Sequence, residues 1–185
     1  MRVETKKVLD TYECVYKKVP EYGSPSRSHT MVANRATKYK ERGVTSAFEI
    51  SCGKGVLLKE MKLRGIPTVA SEPCLTTLSR YLKPFTVYPY MLHELDAIPD
   101  GSYDFVYSVN VADHMADCHD AILVLVESAR IAEKGFVFLV NGDRFMRKIE
   151  KSTSWWLKAA HSIGGKEVLY SVDALGGGDL IEVWF

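Results

Sequence analysis

An adjacent aspartate and histidine, Asp113 and His114, are the residues of this sequence best suited to acid–base chemistry. Histidine titrates near neutral pH, so it can take or give a proton during a reaction. The pair follows the apolar run FVYSV (105–109), which predicts a strand. Ligands of open α/β sheets bind at such carboxyl ends of strands. Helix capping or loop stabilisation is the alternative role for the pair.

A second group of candidates surrounds a glycine-containing turn. The stretch AFEISCGKG (47–55) begins apolar, ends in small residues and runs into VLLKEMKLRG, whose apolar residues have mostly helical spacing. This order predicts a strand, a tight turn and a helix. Gly53 and Gly55 let the backbone approach a ligand, and the helix N-terminus offers unpaired N–H groups. An ordinary strand-to-helix turn is the alternative.

Alternating strand-like and helix-like segments must position these residues. Strands are predicted at 45–51, 66–71, 85–92, 105–109 and 136–140, and helices at 54–64, 75–82 and 117–132. The strand at 85–92 contains Pro89 and is expected near a sheet edge. A helix at 152–163 precedes a hairpin of 166–172 and 179–185, joined by glycines 176–178. These units predict an α/β fold with a doubly wound, mostly parallel sheet and a C-terminal antiparallel hairpin.

The first 43 residues precede this alternation and predict an N-terminal helical arm or lid, with residues 44–185 forming the main domain. Helices are expected at 1–19 and 27–42, around the loop 20–26. Residues 1–42 contain ten Lys/Arg and five Asp/Glu, against 14 and 18 in the rest. The arm could close the site and bind an anionic group through Arg27, His29, Arg35, Lys38 and Tyr39. A solvated lysine-rich helix is the alternative; nucleic acid binding through the basic arm is not favoured.

Composition indicates an ordinary soluble domain. The 185 residues are 46% hydrophobic and 25% charged, enough for one domain with a full core. No apolar run approaches the roughly 20 residues of a membrane span, so no membrane partner is expected. The four scattered cysteines form no C-x-x-C pair, which argues against a zinc site and indicates reduced thiols in a cytoplasmic protein; no metal ligands are expected.

Three blocks of the chain, taken in order, resemble the class I S-adenosylmethionine-dependent methyltransferases of the small-molecule type. FEISCGKG (48–55) resembles the family's first motif, and VASEP (69–73) has its acid 17 residues after Gly55. IPDGSYDFVYSVNVADHM (98–115) resembles the stretch that runs through the fourth strand into the next loop. The resemblance covers residues 45–140 and the hairpin in outline, but not the arm. It implies a Rossmann-like sheet of the seven-stranded type.

The resemblance also implies S-adenosyl-L-methionine as the cofactor. Glu72 would accept hydrogen bonds from the ribose hydroxyls, and Glu49 would lie near the methionine moiety. The alternatives are an acid favouring a helix dipole for Glu72 and a salt bridge for Glu49. Leu92 or His93 stands where many members carry an acid that contacts adenine, and Ser51 stands where the first glycine is usual. The candidate cofactor-binding residues are Glu49, Ser51, Cys52, Gly53, Gly55, Glu72, Pro73, Leu92, His93 and Ser108.

The expected function is methyl transfer to a small-molecule acceptor by in-line displacement, with His114 and Asp113 as catalytic candidates. A catalytically inactive subunit that binds cofactor or a partner chain is the alternative. A nicotinamide-binding domain is disfavoured because Leu58 occupies the third glycine position of G-x-G-x-x-G. Trp155 and Trp156 are expected either in the core or in the wall of an acceptor pocket.

Overall fold

A single seven-stranded sheet forms the centre of the protein, in a computed structural model that describes residues 3–142, 147–173 and 178–185. The strands are β1 Ala47–Glu49, β2 Thr68–Ser71, β3 Val87–Tyr88, β4 Tyr103–Val109, β5 Ala132–Val140, β6 Glu167–Asp173 and β7 Gly178–Trp184. Their order is β3-β2-β1-β4-β5-β7-β6, and only the pairings of β7 are antiparallel. The predicted fold class is therefore confirmed.

Seven α-helices are found in the described part of the chain. They are α1 Val3–Lys18, α2 Arg27–Ala33, α3 Ala36–Glu41, α4 Val56–Leu63, α5 Leu75–Arg80, α6 Cys118–Ile131 and α7 Thr153–Ser162. Two 3₁₀ helices, Leu92–Ala97 and Ala112–His114, follow β3 and β4. Within the described ranges, no helix has the length and apolarity of a membrane span.

Two predicted elements differ in extent from those observed. The helix predicted at 27–42 consists of α2 and α3, separated at Asn34 and Arg35. The strand predicted at 85–92 has only two residues in the sheet, and it forms the edge as expected. Pro89 lacks the N–H that would continue the pairing, and the chain turns into the 3₁₀ helix at Leu92. Of the predicted hairpin turn, Gly176 and Gly177 lie outside the described residues.

Apolar clusters on both faces of the sheet stabilise the fold. One face packs Phe136 and Phe138 against α6 and α7, including Trp156, which is fully buried. The other face packs Phe105 and Tyr107 against α2, α3 and α4. Burial of this apolar surface is the main favourable contribution to folding. Trp156 therefore belongs to the core. Trp155 packs against the same cluster, with its ring edge-on to that of Trp156 and the two ring centroids 4.8 Å apart.

Three of the arm residues expected at the site instead attach the arm to the sheet. Glu182 is 1% exposed and lies 3.2 Å from Arg35 Nε and 2.8 Å from Lys38 Nζ. Arg35 also donates a hydrogen bond to Ser171 on β6, at 2.7 Å. Tyr39 is buried against Phe105. The expectation that these side chains bind an anionic ligand is wrong, because a buried carboxylate and the core already engage them.

Candidate functional site

The carboxyl ends of β1, β2 and β4 surround a cavity of about 470 Å³. It lies at the point where the strand order reverses, since β1 has β2 on one side and β4 on the other. Ligands of doubly wound sheets bind at this switch point. The helix α1 also lines the cavity, through Val8, Leu9, Tyr12 and Tyr16. The cavity is thus enclosed by the sheet ends on one side and by the N-terminal arm on the other.

The turn after β1 adopts the left-handed conformation at three positions. The φ angles of Ser51, Gly53 and Gly55 are 53°, 54° and 72°. Ser51 thus holds a glycine-like conformation at a cost of about 1 kcal/mol, so the turn keeps its shape without the usual first glycine. A Cβ on Gly53 would stand 2.7 Å from the Tyr16 hydroxyl, at the cavity wall.

Gly55 serves a different purpose from the one expected. A Cβ at this position would lie 2.7 Å from Leu82 Cδ2, and Gly55 does not line the cavity. Its positive φ starts α4 immediately after the turn. The expected role of Gly55 at the ligand is therefore corrected to one of close packing between the turn and Leu82.

The carboxylate of Glu72 joins the ends of β1 and β2. Its Oε2 accepts the N–H of Gly53 at 2.7 Å, and its Oε1 accepts the N–H of Cys74 at 2.9 Å. The side chain is 4% exposed, and burial raises its pKa to about 7, although the two N–H groups oppose the shift. Each carboxylate oxygen can accept a further hydrogen bond. Glu72 can therefore receive two hydroxyl donors from a ligand in the cavity.

Glu49 presents a buried acceptor to the same cavity. It is 2% exposed, and its Oε2 has no hydrogen-bond partner among the described residues. Burial and the charge of Glu72 raise the pKa of Glu49 well above its usual range. A buried polar atom without a partner is costly. This oxygen is therefore suited to a ligand that brings a donor or a positive charge.

His114 lines the other side of the cavity, whereas Asp113, its neighbour in the 3₁₀ helix after β4, is fully buried and lies outside the lining. Asp113 is buried, and its Oδ2 accepts the N–H of Asn141 at 2.8 Å. His114 lines the cavity at 3% exposure, with Nε2 4.0 Å from Asp113 Oδ1. Its Nδ1 makes a short hydrogen bond with the Tyr12 hydroxyl. Asp113 thus accepts a hydrogen bond within its loop, which fits the alternative role of loop stabilisation, and its other oxygen faces His114.

The structure brings most of the predicted residues to one cavity. Those that line it are Glu49, Ser51, Cys52, Gly53, Glu72, Pro73, Leu92 and His114, together with Arg27 and His29 of the arm. His93 is exposed and outside the lining, because the 3₁₀ helix directs Leu92 inward and His93 outward. Ser108 is buried within the sheet and also lies outside the lining.

The principal residues that the sequence did not reveal are Tyr12, Tyr16 and Tyr22. All three line the cavity, and the rings of Tyr12 and Tyr22 are 6.1 Å apart. The four-residue spacing of Tyr12 and Tyr16 on a helix was the available signal, since it places both rings on one face. That signal does not tell which part of the protein the face covers.

A family model described as a methyltransferase domain matches residues 48–140, which is half of the chain. The matched segment contains β1 to β5, the glycine turn and Glu72. The chain therefore belongs to the methyltransferase-domain family, and its fold is that of the class I S-adenosylmethionine-dependent methyltransferases. No curated protein sequence matches it.

Solved structures of methyltransferases share the whole fold. A magnesium protoporphyrin IX methyltransferase from Synechocystis, with bound S-adenosylmethionine, has a TM-score of 0.76 at 12% identity and covers 100% of this chain and 98% of its own. An Archaeoglobus fulgidus S-adenosylmethionine-dependent methyltransferase has a TM-score of 0.68 at 14% identity, with coverage of 91% and 98%.

A Burkholderia thailandensis 1,6-didemethyltoxoflavin-N1-methyltransferase has a TM-score of 0.72 at 10% identity, with coverage of 98% and 88%. At such low identities, these likenesses establish the fold alone. The arm, which the family model leaves out, falls within the shared region of the Synechocystis enzyme, because that match spans the entire chain.

Proposed function

We propose that this protein is an S-adenosylmethionine-dependent methyltransferase that acts on a small-molecule acceptor. The observation that carries the proposal is the pair of buried carboxylates, Glu72 and Glu49, beside the glycine turn in the cavity that His114 also lines. The family membership supports it. The Synechocystis and Burkholderia structures support it further, because they hold S-adenosylmethionine and S-adenosylhomocysteine, respectively.

The residues of the turn fit the cofactor. Glu72 has acceptor capacity for the ribose hydroxyls, and Glu49 has an unpaired oxygen for the positively charged methionine moiety. Gly53 lets the Tyr16 hydroxyl pack against the turn at the cavity wall, where a Cβ would lie 2.7 Å from that hydroxyl. When bound, S-adenosylmethionine supplies a methyl group on a sulfonium, which is already activated for displacement. The protein then has to align the acceptor and exclude water.

The other half of the cavity supplies acid–base groups for the acceptor. His114 can receive the proton that an O–H or N–H acceptor loses, and Asp113 faces the imidazole to stabilise its protonated form. Tyr12 and Tyr22 of the arm line the cavity on the His114 side, where their rings can shield the reacting atoms from water.

A small acceptor is favoured by the size and charge of the site. A volume of about 470 Å³ lies in the lower half of the range for drug-sized ligands. Nucleic acid binding needs cations directed at phosphates. Arg35 and Lys38 of the basic arm are instead paired with Glu182, away from the cavity.

Isothermal titration with S-adenosylmethionine and S-adenosylhomocysteine tests the proposal. We expect both to bind, and Glu72→Ala to weaken binding about tenfold or more, since hydrogen bonds to a charged group contribute ~1.5–3 kcal/mol each. Glu133→Ala, at an exposed position on β5, is the matched control and should bind like the wild type. Absence of binding by both compounds at sub-millimolar concentration would overturn the proposal. Binding without turnover of any acceptor would favour the inactive-subunit alternative.

A further inference from the structure

Both ring nitrogens of His114 are directed at protein groups. Nδ1 meets the Tyr12 hydroxyl, and Nε2 faces Asp113 Oδ1 at 4.0 Å. The side chain is 3% exposed, so little of the ring is accessible to a ligand. Tyr12 is half-buried and lines the same cavity. An acceptor in the cavity can therefore reach Tyr12 more readily than a nitrogen of His114.

The direction of the hydrogen bond follows from the groups around the ring. Asp113 Oδ1 lies 4.0 Å from Nε2 of His114, which is beyond hydrogen-bond distance, but the negative charge of an ionised carboxylate at this distance favours a proton on Nε2. A neutral imidazole then has its lone pair on Nδ1. Tyr12 must donate its O–H to that lone pair. The Tyr12 side chain is also hydrogen-bonded to Tyr22. The phenol oxygen has two lone pairs, so one of them can still accept a proton from another group.

Tyr12 itself is suited to passing a proton and not to storing one. Burial raises the pKa of Tyr12 far above its usual range, and the neighbouring Tyr22, Tyr16 and Asp113 add to the effect. The phenol is therefore un-ionised at neutral pH. It can accept a proton only if it gives up its own at the same time, and His114 Nδ1 is positioned to receive it.

We propose that Tyr12 is the catalytic residue that meets the acceptor, and that it relays the acceptor's proton to His114. This inference rests on the proposed methyltransferase function. As the bond from the methyl group to the acceptor atom forms and the bond to sulfur breaks, the acceptor's O–H or N–H proton moves to Tyr12 Oη. The original Tyr12 proton moves to His114 Nδ1, and Asp113 faces the resulting imidazolium. The relay suits acceptors of high pKa, such as phenols, whereas an ionised carboxylate has no need of it.

The neighbouring residue on α1 holds Tyr12 in place. Glu13 Oε1 accepts the N–H of Leu75 at 2.5 Å, and its Oε2 accepts the hydroxyl of Thr76 at 2.5 Å. Burial opposes ionisation, yet the bonds from Thr76 and the backbone hold the pKa of Glu13 below its usual range. Tyr16, one turn further along α1, lies beside Gly53. The arm is thus docked on the cofactor side of the cavity, and this docking sets Tyr12 on the acceptor side.

Nitrogen-15 NMR of the His114 ring, with S-adenosylhomocysteine present, tests the hydrogen-bond chain without any acceptor. We expect the proton on Nε2 and an Nδ1 resonance that moves downfield in Tyr12→Phe, because the donated hydrogen bond is lost. Tyr170→Phe is the matched control, since Tyr170 donates to Asp179 away from the cavity. A proton on Nδ1, or ring resonances that are the same in Tyr12→Phe and the wild type, would overturn the inference.

A panel of simple phenols and carboxylic acids, with S-adenosylmethionine as donor, tests the relay itself. General acid–base catalysis contributes about 10²–10⁴-fold, so Tyr12→Phe should lower kcat about 100-fold for phenols. In the same variant, the kcat for carboxylic acids and the Kd for S-adenosylhomocysteine should each change less than about twofold. If S-adenosylhomocysteine binds and Tyr12→Phe retains the phenol turnover, only the relay is wrong. If S-adenosylhomocysteine does not bind to the wild-type protein, the proposed function is wrong. If none of the phenols and carboxylic acids is methylated, the NMR measurement alone decides whether the inference holds.

Discussion

Replacement of Glu72 by glutamine should make the stability of the protein less dependent on pH. In the folded protein, burial raises the pKa of this carboxyl from the ordinary 4.5 to about 7. Between these values, the folded chain holds a proton that the unfolded chain has lost. The stabilisation is therefore complete below about pH 4.5, and it is lost as the pH rises through about 7.

The size of the effect follows from the shift. One pKa unit corresponds to about 1.36 kcal/mol, so the rise to about 7 corresponds to about 3 kcal/mol between acidic and mildly alkaline pH. Glutamine keeps the shape of the protonated acid and cannot ionise. In the absence of ligand, Glu72→Gln should thus lose about 3 kcal/mol less stability than the wild type over this interval. Glu49 titrates in the same direction, and because the charge of Glu72 contributes to its raised pKa, Glu72→Gln also reduces the Glu49 contribution to the pH dependence.

Guanidinium denaturation at pH 5 and pH 8, followed by tryptophan fluorescence, measures the free energy of unfolding. The exposed Glu133→Gln is the matched control and should follow the wild type. Parallel pH dependences for the wild type and Glu72→Gln would refute the reasoning. Ligand binding should show the opposite trend, because the ribose hydroxyls need the ionised carboxylate as acceptor. The wild-type affinity for S-adenosylhomocysteine should fall up to tenfold for each pH unit below about 7.

Three further substitutions separate binding from stability. Gly53→Ala should lower the free energy of unfolding by about 1–2 kcal/mol and weaken S-adenosylhomocysteine binding, because Gly53 has a positive φ and lies beside the Tyr16 hydroxyl. Thermal unfolding measures the stability, and titration calorimetry measures the binding. Glu182→Gln should lower the free energy of unfolding in guanidinium by about 2–3 kcal/mol and leave S-adenosylhomocysteine binding unchanged. This loss is smaller than that for a fully buried ion pair, because Arg35 and Lys38 are partly exposed. Glu13→Gln should speed hydrogen exchange in residues 6–18, and unaltered exchange would contradict its docking role.

Local patterns were sufficient for the sheet and for half of the site. Apolar runs and turn residues located the strands, and the end of each parallel strand brought Glu49, Glu72 and His114 to one place. These predictions needed only short-range patterns and one topological rule. The same rule could not resolve Leu92 from His93, because the inward residue depends on a 3₁₀ helix whose phase the sequence does not reveal.

The contacts of the arm could not be predicted because they join residues that are remote in sequence. Tyr12 meets a histidine 102 positions away, and Lys38 meets a glutamate 144 positions away. A basic amphipathic pattern indicates a helix, but it does not distinguish a cation that binds a ligand from one that neutralises a buried acid. The arm cations Arg35 and Lys38 neutralise the buried Glu182, and nothing in the stretch around that residue, DLIEVWF, marks it as a partner of the arm.

The place of β7 has a consequence for how the chain is synthesised. Residues 178–184 are the last strand along the chain, yet they lie between β5 and β6, paired with both. Until they emerge from the ribosome, β5 has an open hydrogen-bonding edge that consists of the apolar run Phe136–Val140. A nascent or truncated chain that ends before Gly178 should therefore depend on chaperones and aggregate readily. The whole matched methyltransferase-domain region, residues 48–140, precedes this strand, yet its last strand β5 has β7 as a pairing partner.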